Sequence, residues 1–294
     1  MGIKGFACSI ALMGLISSFP AHAGKANDTL VYASDSEPEN ISPYHNDLRE
    51  GVILGRLIWD NLIYRDPNSG EYKPMLATSW KQVDDTTIDF ELRKGVKFHN
   101  GDAFTADDVV FTLNYVVSPE AKVVTVQNVD WIKSAEKTGD YSVRLYLKKP
   151  FPPALEYLSN AVPMFPKQYF EKVGLAEFSR KPMGTGPYKA VSVVAGEGVT
   201  MEINKDYFPD SPQGQPHISH LKFRVIPDAE TRLAELMTDG VDWTWRVTSD
   251  QAVDLKGMPN LTVTSGETMR IGFLILDARR SEERRVGKEC RSRW

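Results

Sequence analysis

Cysteine and histidine, the residue types that often supply nucleophiles and metal ligands, are sparse in this sequence. The cysteines, Cys8 and Cys290, lie near the two ends of the 294-residue chain. The five histidines are scattered. His99 has no second ligand near it, and His217 and His220 would point to opposite faces of a strand. Neither Gly-x-Ser-x-Gly nor His-Glu-x-x-His occurs. We therefore predict no catalytic residue, no metal site and no cofactor.

Two glycine-containing motifs resemble ligand-binding sites, but their sequences indicate structural roles. Phe98-His-Asn-Gly-Asp102 is typical of a strand end, a tight turn and a helix start, so His99 is predicted to be a hydrogen-bonded turn residue. Gly184-Thr-Gly-Pro resembles a phosphate-binding loop but lacks the following Lys-Ser/Thr and a helix start. We interpret this segment as a backbone crossing between domains.

Trp245 and Arg246 are the pair best suited to bind a ligand. An aromatic platform beside a fixed charge suits a peptide-like or sugar-like molecule. The alternative is that Trp243 and Trp245 belong to the core and that the neighbouring charges are solvated.

The elements that must position these residues can be predicted from periodicity. Alternating or short apolar runs predict strands, and stripes of helical spacing predict helices. Thr105 with Asp108 resembles a capping box, and Asp228 is the predicted cap of a helix whose inner face carries Leu233, Leu236 and Met237. The predicted strands are 29–33, 87–93, 143–147, 199–203, 221–225 and 241–245, and a further helix is predicted at 52–64. Without a regular βαβ alternation, the expected class is α/β or α+β with a mixed sheet.

The first 23 residues have the three parts of a secretory signal peptide. Lys4 precedes an apolar stretch that is too short to span a bilayer, and the small residues Ala21 and Ala23 fit a cleavage site. The mature chain is expected to begin near Gly24. Because no cysteine lies at this site, we expect a periplasmic protein without a lipid anchor.

Residues 280–294 differ from the rest of the chain. They contain six basic and three acidic residues, which could suggest a nucleic-acid-binding tail. The string also looks like one translated frame of a common sequencing adaptor, so we interpret it as non-native. Without this segment (+3) and the signal (+1), the net charge of −4 becomes −8. An acidic body argues against nucleic acid as a partner.

One long segment, 80–111, resembles the signature of a known family. Its sequence, WKQVDDTTIDFELRKGVKFHNGDAFTADDVVF, is similar to that of the bacterial family 5 extracellular solute-binding proteins, which include dipeptide, oligopeptide and nickel-chelate carriers. Four further stretches agree in order and spacing: 29–43, 73–80, 183–188 and 204–208.

The resemblance implies a periplasmic binding protein type II-like fold, in which two lobes close on a ligand. An N-terminal lobe would be built from 24–59 and 169–279, and 60–168 would form an inserted α/β subdomain. The second, C-terminal lobe is expected to be missing, so this chain alone should not close around a ligand.

The resemblance also implies where the ligand is contacted. The N-terminal lobe would contribute residues from the loop after Pro43, from the end of the strand before residue 246, and from a strand starting near residue 267. The residues carried over to these places are Asp47, Arg49, Glu50, Trp245, Arg246, Glu267 and Arg270.

The implied function is transport rather than chemistry. The complete protein would be a monomeric solute-binding component of an ABC importer, which delivers a small ligand, expected to be a short peptide, to permease subunits in the inner membrane. Nickel-chelate, opine or oligosaccharide carriers of the same fold remain alternatives. A periplasmic hydrolase is a further alternative, which the absence of catalytic motifs disfavours.

Overall fold

The computed structural model describes residues 27–38 and 40–266 as a mixed α/β structure. The predicted signal peptide, the 280–294 segment and the predicted site residues Glu267 and Arg270 lie outside the described residues. The described residues up to Arg246 form one compact unit, and the described residues from Val247 to Gly266 form a second. The predicted mixed α/β class is confirmed.

Eleven strands and six α-helices are found in the described ranges. The strands are β1 (Thr29–Ser34), β2 (Ile63–Arg65), β3 (Tyr72–Pro74), β4 (Ala77–Asp84), β5 (Thr87–Leu92), β6 (Ile132–Gly139), β7 (Ser142–Leu147), β8 (Tyr188–Val194), β9 (Gly198–Ile203), β10 (His220–Val225) and β11 (Trp243–Thr244). The helices are α1 (Arg49–Ile58), α2 (Ala106–Tyr115), α3 (Ala154–Asn160), α4 (Lys167–Arg180), α5 (Ala229–Met237) and α6 (Ser249–Lys256).

A five-stranded sheet in the order β11-β1-β10-β9-β8 carries the candidate site. β1 runs parallel to both β10 and β11, whereas β9 is antiparallel to β10 and to β8. The three parallel strands therefore end at the same edge of the sheet. Tyr32 lies opposite Trp243 in this register, and Ser34 lies opposite Val225.

A second, antiparallel sheet has the order β4-β5-β7-β6, and β2 pairs with β3. The predicted alternation in β5 is confirmed from Ile88 to Leu92, because Ile88, Phe90 and Leu92 are buried while Glu91 is exposed, but Thr87 at the start of the strand is also buried. One continuous apolar cluster contacts both larger sheets, and Trp59, Phe165 and Phe178 are fully buried within it. Burial of such aromatic side chains is a large contribution to folding.

Local capping signals were predicted correctly. Thr105 and Asp108 form a reciprocal capping box at the start of α2. The Asp228 side chain accepts a hydrogen bond from the Thr231 backbone N–H at 2.8 Å and caps α5.

Three sequence predictions need correction. The helix predicted at 52–64 is α1, which begins at Arg49 and ends at Ile58, because the backbone is extended at Trp59 and then forms β2. Met237 is not on an inner face and is 41% exposed. Its neighbour Leu236 packs against the sheet, and successive helical residues point about 100° apart. The strand predicted at 241–245 is limited to β11.

In the described part of the chain, no helix combines the length and apolar character needed to cross a membrane.

Candidate functional site

Side chains that follow the parallel strands meet at the carboxyl edge of the five-stranded sheet. Asp35 follows β1, and Trp245 and Arg246 follow β11. In open α/β sheets, ligands commonly bind outside the carboxyl ends of parallel strands. We name the group Ser34, Asp35, Arg49, Glu50, Trp245 and Arg246 the edge cluster.

Trp245 is held by a buried hydrogen-bond chain. Its indole N–H donates to Ser34 Oγ at 3.0 Å, and the Ser34 hydroxyl donates to Glu50 Oε1 at 2.7 Å. Ser34 and Glu50 are each 1% exposed. Because a buried polar group is costly to leave unpaired, this chain fixes the orientation of the indole ring.

Arg246 is fixed by Asp35. Its Nη1 lies 3.0 and 2.8 Å from the two carboxylate oxygens, and its backbone has a φ of 63°, which is uncommon for a residue other than glycine. Partial burial opposes ionisation of Asp35, but the hydrogen bonds and charge of Arg246 outweigh it and lower the pKa of this carboxyl. The ion pair thus persists below neutral pH.

Two guanidinium groups lie over the Trp245 ring. The Cζ of Arg246 is 4.3 Å from the ring centroid, and the Cζ of Arg49, from the first turn of α1, is 4.4 Å away. Both distances are in the range of cation–π contacts. The edge cluster therefore combines the flat aromatic surface of Trp245 with two arginines. Arg246 is paired with Asp35, and Arg49 is exposed.

Four of the predicted site residues, Arg49, Glu50, Trp245 and Arg246, come together in this cluster. Asp47 is exposed and instead lines a separate cavity of about 280 Å³ with Arg56, Thr125 and Asn128. The alternative that the charges at these positions are solvated is contradicted at Glu50, which is buried, whereas Asp47 and Arg49 are exposed. Trp243 is 47% exposed and is likewise not a core residue.

A larger cavity of about 420 Å³ is lined by none of the edge-cluster residues. Its charged groups already have partners: Arg65 lies 3.2 Å from Glu156, and Arg56 is hydrogen-bonded to Asn160. Among the described residues, no group of three or more His, Cys, Asp or Glu side chains could hold a metal ion.

Buried polar side chains of Asp60, Thr185 and Tyr207 form hydrogen bonds at the Gly184–Gly186 segment. Asp60 Oδ2 accepts a hydrogen bond from the Thr185 hydroxyl at 2.8 Å, and Asp60 Oδ1 accepts one from the Tyr207 hydroxyl at 3.1 Å. Burial raises the pKa of Asp60 to about 6, although the hydroxyls of Thr185 and Tyr207 act in the opposite direction.

His99 contacts the same segment. Its Nε2 lies 3.0 Å from the carbonyl oxygen of Gly186, and the Gly184 N–H lies 3.4 Å from its Nδ1. Both contacts suit a neutral ring with the proton on Nε2. Burial lowers the pKa of His99 to about 4, with the Gly186 hydrogen bond opposing the shift. The prediction of a hydrogen-bonded turn histidine is confirmed.

Comparison with known families decides the class of the protein. Residues 71–286 match the family described as bacterial extracellular solute-binding proteins, family 5 Middle. The chain belongs to this family. The match ends inside the 280–294 segment, so the interpretation of that segment as non-native stays a prediction.

Several family 5 proteins are similar to this chain. The oligopeptide-binding protein AppA of Bacillus subtilis (strain 168) is 31% identical over 236 residues, which cover 77% of this chain and 42% of AppA. The structure of AppA in complex with a nonapeptide matches with a TM-score of 0.65 at 31% identity, over 76% of this chain and 44% of AppA.

Two other solved structures carry different ligands. NikZ from Campylobacter jejuni, in complex with Ni(L-His), is 31% identical with a TM-score of 0.65, over 73% of this chain and 42% of NikZ. MoaA from A. tumefacien R10, in complex with mannopinic acid, is 26% identical with a TM-score of 0.72, over 79% of this chain and 48% of MoaA. This chain thus spans about half the length of the family members it matches.

Two members of the edge cluster, Ser34 and Asp35, were missed by the sequence analysis. Both directly follow a strand that was predicted at 29–33, and polar residues at such a position are a usable signal. Their partners Trp245 and Arg246 lie 211 residues further along the chain. Only the parallel pairing of β1 with β11 shows that they meet.

Proposed function

We propose that the complete protein is the periplasmic solute-binding component of an ABC importer and that its ligand is a short peptide or a similar small, extended solute. The observation that carries this proposal is the edge cluster, in a chain that belongs to family 5. A ring fixed by buried hydrogen bonds and flanked by charged groups is a preorganised surface for such a ligand.

The proposed lobe contributes ligand contacts from Arg49, Glu50, Trp245 and Arg246, with Asp47 at the separate cavity. Glu267 and Arg270 remain proposed contacts outside the described residues. We assign 24–59 and 169–279 to this lobe and 60–168 to an inserted subdomain. The sheet composition supports this division, because β1 and β8–β11 form one sheet, whereas β4–β7 form another.

The partners proposed for the complete protein are permease subunits of the inner membrane, which would receive the ligand from a monomeric carrier. No nucleic acid is expected, given the acidic body of the chain. The proposed localisation is the periplasm without a lipid anchor.

Ligand recovery tests this function directly. The protein expressed from its complete natural reading frame should be purified from a periplasmic extract, and native mass spectrometry should detect a bound small molecule. The same molecule should be recovered unaltered after denaturation and should change the intrinsic tryptophan fluorescence when added back. Conversion of the molecule to a product would contradict transport and favour the hydrolase alternative.

Substitution of the aromatic platform links the binding to the edge cluster. Trp245→Ala should weaken ligand binding about 30-fold or more, as expected for a central aromatic contact. Trp80→Phe, on β4 outside the cluster, is the matched control and should bind normally. Equal affinity of the two variants would show that the ligand binds elsewhere.

A nickel chelate or an opine is the second candidate ligand class, because NikZ and MoaA are solved with Ni(L-His) and mannopinic acid. The mass of the recovered molecule distinguishes these classes from a peptide.

A further inference from the structure

Arg49 occupies a position that helix stability does not explain. It is the first residue of α1, whose N-cap, Leu48, forms no side-chain capping hydrogen bond. The N-terminus of a helix carries a partial positive charge and favours acidic side chains. A cation at this point is therefore not favoured by the helix itself.

The other charges of the edge cluster already have partners. Asp35 binds Arg246 through both carboxylate oxygens, and Glu50 is buried and accepts the hydrogen bond of Ser34. Within the described part of the chain, no acidic side chain lies within salt-bridge distance of Arg49. Counting only partners at 27–38 and 40–266, Arg49 is thus the cation of the cluster without a carboxylate partner.

The contact with Trp245 positions these donors. The Arg49 Cζ lies 4.4 Å from the ring centroid, and an indole that is itself anchored through Ser34 restricts where the guanidinium can lie. A guanidinium held against an aromatic face keeps its planar N–H edge for an acceptor, and a carboxylate matches the two donors of that edge.

We propose that Arg49 is a specificity-determining residue that binds a carboxylate of the ligand, while Arg246, besides its proposed ligand contact, holds Asp35 and Trp245 in place. The inference rests on the proposed function, since it assigns the ligand chemistry of the same site. It predicts selection for ligands with a free carboxylate at the end that reaches α1.

The test uses two pools of tripeptides built from Ala, Leu, Phe and Ser, one with free C-terminal carboxylates and the other with C-terminal amides. The protein with its complete natural reading frame is incubated with each pool, and bound peptides are quantified by native mass spectrometry. Wild-type protein should retain the acids about 10- to 100-fold more strongly than the amides, the usual range for a hydrogen bond to a charged group.

Arg49→Gln should bind acids and amides with equal affinity, whereas Arg49→Lys should restore part of the preference. The charge-matched control is Arg180→Gln, an exposed arginine at the end of α4, which should keep the full preference. Near-ultraviolet circular dichroism confirms that each variant is folded.

The possible failures are distinct. If wild-type protein binds peptides but treats acids and amides alike, or if Arg49→Gln keeps the preference, the assignment of Arg49 is wrong and the proposed function stands. If no peptide from either pool binds, peptide transport itself is wrong, and the assignment falls with it.

Discussion

Asp60 and His99 both hydrogen-bond to one short segment of the chain, Gly184–Gly186. The carboxylate of Asp60 accepts from the Thr185 hydroxyl at 2.8 Å, and His99 Nε2 lies 3.0 Å from the Gly186 carbonyl oxygen. Burial shifts the two pKa values in opposite directions, to about 6 for Asp60 and to about 4 for His99. Both shifts favour the neutral form, so the pH dependence of stability receives two opposing contributions from this segment.

Asp60→Asn should reveal the first contribution. Between pH 4 and pH 6 the folded protein retains a proton on Asp60 that the unfolded chain has lost, so this group contributes less to the free energy of unfolding as the pH rises. A shift of about two pKa units corresponds to about 3 kcal/mol. The difference in unfolding free energy, variant minus wild type, should rise across this range and level off above it.

Urea denaturation at half-unit pH intervals from 4 to 7.5 measures this difference. Asp102→Asn, on an exposed residue, is the control for removing a surface carboxylate. A constant difference for Asp60→Asn would mean that Asp60 ionises normally in the folded protein.

His99→Gln should show the opposite dependence. Between pH 4 and 6.5 the unfolded chain binds a proton on His99 that the folded protein does not, so the stability contributed by the neutral histidine is lost as the pH falls. The wild type should therefore lose stability relative to the variant as the pH falls from 6.5 to 4. Two-dimensional NMR of the imidazole provides a direct check: a His99 ring that titrates near 6.5 in the folded protein would refute the prediction.

The sequence predicted features that depend on neighbouring residues. The Thr105–Asp108 capping box, the Asp228 cap and the alternation in β5 from Ile88 to Leu92 involve residues within a few positions of each other, and each is confirmed. The end of α1 was misplaced because apolar residues continue at helical spacing after Ile58, while the backbone already extends toward β2.

The candidate site was only partly predictable, because sequence patterns report local structure and not contacts between distant residues. Trp245 and Arg246 were selected by residue type, but their hydrogen-bond partners Ser34 and Asp35 are 211 residues away. Periodicity describes one strand at a time and carries no information on which strands pair. The separation of Asp47 from the edge cluster could not be foreseen either, because it depends on where α1 begins.

Ser34→Ala should destabilise the edge cluster. The substitution leaves the buried Glu50 carboxylate and the Trp245 indole N–H without the hydroxyl that joins them. Loss of a buried hydrogen-bond partner should lower the free energy of unfolding by about 2 kcal/mol. Urea denaturation measures this loss, and Ser192→Ala on an exposed position of β8 should be neutral. Equal stability of both variants would mean that water replaces the hydroxyl without cost.

Gly184→Ala should be among the most damaging small substitutions, because the chain crosses the end of α1 at this point with no space for a side chain. A Cβ added at residue 184 would lie 2.0 Å from the carbonyl oxygen of Ile58. The N–H of Gly186, two residues further on, donates to the same oxygen at 2.8 Å. Relief of the overlap would require backbone movement, at a cost of about 3 kcal/mol. Gly139→Ala is the matched control, since its added Cβ would meet only Ser142 at 3.4 Å. Thermal unfolding should therefore show a lower midpoint for Gly184→Ala alone, and similar midpoints for the two variants would show that the crossing can move apart freely.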